Sequence, residues 1–196
     1  MSKADPASQK KERIKTVRWV VTIFLTTILI SATISLISEE IMSVSGMAVA
    51  FAILMAIVLV GILFDVVGVA VTSADEKPFH SMAARKVRGA REAISLLRNA
   101  EKVSSICNDV VGDICGVVSG SASATIAAQI LVKFECSWPM LVSLTMSALV
   151  AGMTVGGKAI GKTFAIHSST AIVFFVGRVL CVIRSIPRLF TKKSKR

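Results

Sequence analysis

The chain has 196 residues, 54% of them hydrophobic, a mean hydropathy of +0.73, and only 18% charged residues. Soluble domains run nearer 45–50% apolar and about 25% charged. Uncharged apolar runs here alternate with short charged segments, which excludes a water-soluble enzyme domain and a disordered chain and leaves an all-α, polytopic membrane helical bundle. The net charge of +11 does not point to nucleic acid. Lys and Arg cluster at the ends of the apolar runs, where they meet anionic headgroups.

Residues 1–18 are basic and read as a cytoplasmic tail, carrying Lys3, Lys10, Lys11, Arg13, Lys15 and Arg18. Trp19 to Ser38 follow without a charge. About 20 helical residues cross the hydrocarbon core, so 19–38 predicts a first span with Trp19 at its interface. This run is too long for the core of a secretory signal and no small-residue cleavage site follows it, so it is expected to stay. A short turn with Glu39 and Glu40 comes next. A second span is predicted over 44–74, with Asp65 inside it.

Residues 79–100 predict an amphipathic basic helix on the membrane surface. Met82, Val87, Ala90, Ile94 and Leu97 recur at helical spacing, while Arg85, Arg88, Arg91 and Arg98 lie off that stripe. A third span is predicted over 103–132, holding Asp109 and Asp113, and a fourth over 139–157. Residues 163–183, with His167 and Arg178, read as an interfacial or re-entrant helix, and 184–196 as a second basic tail. The turns at 39–43 and 133–137 contain one basic residue, Lys133, between them. Four spans with both ends cytoplasmic therefore satisfy the positive-inside rule, in the inner (plasma) membrane.

Asp65, Asp109 and Asp113 are the residues with chemistry to offer. An ionised carboxylate at the centre of a lone span costs about 2.5–3.5 kcal/mol, so such a group faces a partner or a water-filled path. Asp109 and Asp113 share a helical face. Gly61, Asp65, Gly68 and Thr72 form a second stripe. If the stripes meet they make an oxygen-lined pocket, and oxygen ligands suit hard cations such as magnesium. The three Asp are the candidate metal ligands, and Thr72, Ser73, Asn108 and Ser119 are further oxygen donors along the pathway. The structural alternative is that each Asp pairs with Lys158, Lys162 or Arg178, or lies near the cytoplasmic interface. Gly112, Gly116 and Gly120 form a small-residue row suited to helix packing, within the chain or in a homodimer. The four cysteines, Cys107, Cys115, Cys136 and Cys181, include no CxxC pair and no Cys/His cluster. The octapeptide GGKAIGKT, Gly156 to Thr163, matches the spelling of a phosphate-binding loop. It lacks the preceding strand and the soluble α/β domain such a loop needs, so no nucleotide is expected.

The order of these features resembles the transmembrane domain of the CNNM/CorC (CorB-like) magnesium-transport family. GILFDVVGVAVTSAD is similar to that family's span ending in a small, polar motif. HSMAARKVRGAREAISLLRNAEKV is similar to its basic belt helix, SSICNDVVGDICG to its Asn-containing span, and GGKAIGKTFA to its closing GE-x-x-PK motif. The resemblance covers about residues 58–183, with Trp19–Ser38 as an added first span. It implies a homodimeric, non-enzymatic transporter or exporter of divalent cations. It sets Asp65 near the family's Ser, Asp109 and Asp113 near its two Asn positions, and Lys158 where its Glu stands. The family's nucleotide-binding pair does not follow within these residues, so its ATP control is not expected. Two other readings are a non-transporting scaffold that recruits a partner through its basic helices, and a carrier of anionic solutes that uses Lys158 and Lys162 as counter-charge.

Overall fold

The computed structural model describes residues 6–134 and 138–192, and these are all helix and short connections, with no strand among them. Eight α-helices follow in order: α1 (Pro6–Val44), α2 (Met47–Ser73), α3 (Lys77–Ala84), α4 (Ala90–Arg98), α5 (Ala100–Ser105), α6 (Gly112–Phe134), α7 (Pro139–His167) and α8 (Ser169–Lys192). A π-helical segment, Ile106–Val111, joins α5 to α6. Four stretches are long and apolar enough to cross a membrane: Thr16–Met42, Met47–Ser73, Ala100–Phe134 and Pro139–His167. The chain is thus an all-α helical bundle of membrane type.

Several boundaries depart from the sequence reading. Residues 6–18 are not an irregular tail but the first turns of α1. Glu39 and Glu40 lie in that helix, and the chain turns only at Ser45–Gly46. The fourth span does not stop at 157. Nothing in GGKAIGKT breaks a helix whose neighbours let its glycines approach closely, so α7 runs to His167. The octapeptide is helix interior, its amides already committed to helical hydrogen bonds. The 163–183 segment is consequently divided between α7 and α8 at Ser168.

The expected single helix over 79–100 is also two helices. α3 ends in a Schellman-type turn in which the Val87 amide donates to the Met82 carbonyl and the Lys86 amide to Ala83. Lys86 occupies the left-handed position, with φ 56°. Gly89, with φ 92°, then starts α4. The break lets α4 fold back against α8. At their crossing, a Cβ on Gly177 would stand 2.6 Å from the Gly89 carbonyl oxygen.

The core divides into two apolar clusters. One joins the end of α1, the first half of α2, the second half of α6 and the first half of α7, through Met42, Leu54, Val58, Ile126, Met146 and Val150. Gln129 pins this end by donating to the Met42 carbonyl at 2.8 Å. The other cluster joins the last turns of α2 and α7 to α3, α4 and α8, through Ala70, Val71, Phe79, Ala93, Ala165 and Val173. Along α2 the residues between the two clusters on the same stripe are Gly61, Asp65 and Gly68, all buried. The bundle therefore holds a layer of glycine and polar residues between two greasy ends.

Candidate functional site

The polar layer is built by close helix approach. A Cβ on Gly61 would lie 2.9 Å from Cys115 Cβ, and one on Gly68 would lie 2.8 Å from Asn108 Cγ. On the other side of α2, Gly161 leaves room for Val66 and Gly157 for Ile62. Small residues let membrane helices meet at backbone distance. Here they draw α6 and the π segment onto one side of α2 and α7 onto another.

Asp65 projects from the middle of this arrangement and is 4% exposed. The Lys162 Nζ is 4.0 Å from its Oδ2, an ion-pair distance too long for a hydrogen bond. Oδ2 has no hydrogen-bond partner. Lys158, four residues earlier on α7, brings its Nζ to within 3.5 Å of where a Gly112 Cβ would stand. Lys162 thus faces the buried Asp65 carboxylate, while Lys158 places its ammonium beside Gly112 in the same layer.

Asn108 faces α2 one helical turn from Asp65, across Gly68. Its amide nitrogen donates to Ser104 Oγ at 3.2 Å, while its Oδ1 is buried and unpartnered. Ser123 Oγ is a third buried oxygen without a partner, farther along α6. Asn108 reaches α2 from the π segment. There the Gly112 amide bonds to the Cys107 carbonyl five residues back, so the turn holds an extra residue. Single π turns of this kind recur at functional sites. Sequence reasoning missed the π turn, since no residue pattern announces it.

The remaining predicted site residues do not join Asp65. Asp109 and Asp113 are exposed on the outer face of the third span, and Asp109 accepts a hydrogen bond from Ser105 Oγ at 2.7 Å. Thr72 and Ser73 are exposed at the end of α2, with Thr72 Oγ1 donating to the Val69 carbonyl. Ser119 is buried but donates to the Gly116 carbonyl at 2.9 Å. Among the described residues no three His, Cys, Asp or Glu side chains converge where they could hold a metal ion. The expected cage of Asp65, Asp109 and Asp113 is therefore not formed within one chain. The reason is angular: Asp65 turns into the bundle, while the other two lie on the side of their span that looks away from α2.

Within the chain, only the first residue of the glycine row is packed. Gly112 is buried beside Lys158, but a Cβ on Gly116 or Gly120 would meet nothing within 4 Å. These two border a small groove of about 240 Å³ between α6 and α7, with Ser119, Ser123, Ser147 and Thr154. The glycines that bring α2 against its neighbours in this layer are Gly61, Gly68, Gly157 and Gly161. The last pair was visible in the sequence, inside the phosphate-loop lookalike. Of the cysteines, Cys107, Cys115 and Cys181 are free thiols, and Cys136 lies outside the described residues.

No family model matches this chain, and neither a curated protein nor a solved structure matches it.

Proposed function

We propose that the chain is a membrane transporter or exporter of divalent cations, magnesium foremost, and that the ion passes through the polar layer beside Asp65. The observation that supports this most is the pair of buried oxygens, Asp65 Oδ2 and Asn108 Oδ1, which have no donor. A buried acceptor without a partner is costly. Two of them one turn apart, on helices held together by glycine, form a set of oxygens that a hard cation would satisfy. The motif resemblance to the magnesium-transport family points to the same cargo.

In this reading Asp65 and Asn108 supply the inner oxygens. Lys158 and Lys162 balance the carboxylate when no ion is present and must swing away, or lose their hold, as a divalent ion enters. Asp109 and Asp113 serve a different purpose. Carboxylates on the outer face of a span call for cover, and a second copy of the chain, packed along the open Gly116 and Gly120 side, would provide it. The protein works as a homodimer in the inner membrane, with both termini cytoplasmic and no catalytic step. The scaffold reading is favoured by one feature, the Lys162 ammonium that already faces the one buried carboxylate of the layer.

Magnesium flux into liposomes decides between them. A unit charge a few ångströms from an ion in a partly solvated site is worth about 4 kcal/mol or less, enough for shifts of tenfold and more. Asp65→Asn is expected to lower magnesium flux about tenfold or more while the melting temperature holds. Lys158→Glu is expected to raise magnesium affinity, a gain that no folding defect imitates. Absence of flux in both the wild type and Lys158→Glu would overturn transport in favour of the scaffold.

A further inference from the structure

The junction between α3 and α4 carries a cluster of positive charge that the transport reading leaves unused. Lys86, Arg88 and Arg91 line an open cavity of about 330 Å³ together with Gly89 and, from α8, Cys181; Glu92 is the one acidic residue on its wall. All three basic side chains are exposed, and among the described residues no carboxylate stands within 4.0 Å of any of them. Arg178 of α8 crosses directly over Gly89 at the rim, where a Gly89 Cβ would come within 2.8 Å of Arg178 Cγ.

Two further observations say what this charge is for. Lys86 holds the left-handed position of the turn ending α3, a place glycine fills at no steric cost. A lysine there spends backbone stability to put an ammonium on the cavity wall. Farther round α8 from Cys181, the outward face is apolar where a soluble helix would be polar: Phe175 is 68% exposed, Val182 61% and Val179 41%, one turn apart in sequence order. Exposed apolar side chains interleaved with unpaired cations, next to the ends of two spans, fit the boundary between headgroups and acyl chains.

We propose that the α3–α4 junction is a binding site for an anionic phospholipid, its phosphodiester held by Lys86, Arg88 and Arg91 and its acyl chains lying along Phe175, Val179 and Val182. The cavity is of headgroup size, and a ligand with both a phosphate and a hydrocarbon tail satisfies both halves of the surface. A soluble phosphate would satisfy one half.

Purified protein in detergent, given dioleoylphosphatidylglycerol or dioleoylphosphatidylcholine, provides the test, read by retained lipid in native mass spectrometry and by thermal stabilisation. The wild type is expected to retain phosphatidylglycerol in preference to phosphatidylcholine. Each basic residue near an anionic lipid contributes roughly fivefold in affinity, so Lys86→Gly should weaken phosphatidylglycerol retention by about that factor. Its melting temperature without lipid should hold or rise, because glycine relieves the left-handed backbone. The combination of Lys86→Gly, Arg88→Gln and Arg91→Gln should abolish the preference. Arg98→Gln, whose guanidinium bonds Glu76 at 3.0 Å away from the cavity, should keep it. Equal retention of both lipids by the wild type would overturn the proposal, as would a triple variant with undiminished preference. Displacement of the lipid by soluble glycerol phosphate at equal concentration would also overturn it, by making the site one for free phosphate.

Discussion

Gly89 and Gly177 show how much of this fold rests on the absence of a methyl group. Gly89 has φ 92° and faces the Arg178 backbone at 2.8 Å from an added Cβ. Gly89→Ala therefore combines a conformation that alanine resists with a backbone clash, and should cost about 3 kcal/mol, seen as a lower melting temperature. Gly177→Ala meets the Gly89 carbonyl and should also destabilise. Gly116→Ala meets nothing in the chain, so it should leave the melting temperature of the single chain unchanged. If Gly116→Leu changes the elution volume in detergent while the helical content holds, the groove beside it is covered by another copy. Asp65 and Lys162 make a second residue-scale pair. Lys162 is half exposed, so solvent screens the interaction. Removing the lysine alone, in Lys162→Gln, should destabilise by about 1–2 kcal/mol, because it leaves a buried carboxylate without compensation. Adding Asp65→Asn should recover most of that loss. A double variant no more stable than Lys162→Gln would mean that the two groups are not coupled.

At the scale of elements, the third span is the one that is not uniform. Its first turns are α5, its middle is the π segment, and its remainder is α6. A π turn has poorer hydrogen-bond geometry than an α turn and opens more readily. Backbone amides of Ile106–Val111 should therefore exchange with deuterium ahead of those of Gly112–Phe134, although both lie in the same span. Equal protection throughout would show that the turn is as tight as its neighbours. The short helices α3 and α4 teach a related lesson. Their apolar stripe was legible as a continuous 22-residue pattern, and its Met82, Ile94 and Leu97 do pack against the cluster that holds Phe79 and Ala93, whereas Val87 is exposed. The break between them was not legible, because it is made by Lys86 in a conformation that sequence assigns to glycine.

At the scale of the whole molecule, four helices are long and apolar enough to cross a membrane; if each crosses once, the α1–α2 turn lies on one side and α8 on the other. In a background without native cysteines, Glu39→Cys and Arg184→Cys should react with an impermeant maleimide from opposite sides of sealed cells. Labelling of both from the same side would remove one of the four spans. Asp109 and Asp113 belong to this scale as well. Their outward position is the one that the proposed second copy of the chain would cover.

Composition alone was sufficient for the all-α membrane bundle, because an uncharged run of about 20 residues can satisfy its backbone in lipid in very few ways. The same logic located Asp65, since a charge inside such a run is expensive enough to demand a partner, and it named Lys162 among the candidates. Which carboxylates share a site was beyond it. Spacing within one helix says which residues lie on a common face, as it did for Asp109 and Asp113, but not whether that face turns inward. The rotation of the third span is set by the close approaches at Gly61 and Gly68 and by the extra residue of the π turn, and these are contacts between distant parts of the chain. Tertiary packing alone therefore set Asn108 against Gly68, one turn from Asp65, chose Lys162 among the candidate partners, and left Asp109, Asp113, Gly116 and Gly120 on the outside of the chain.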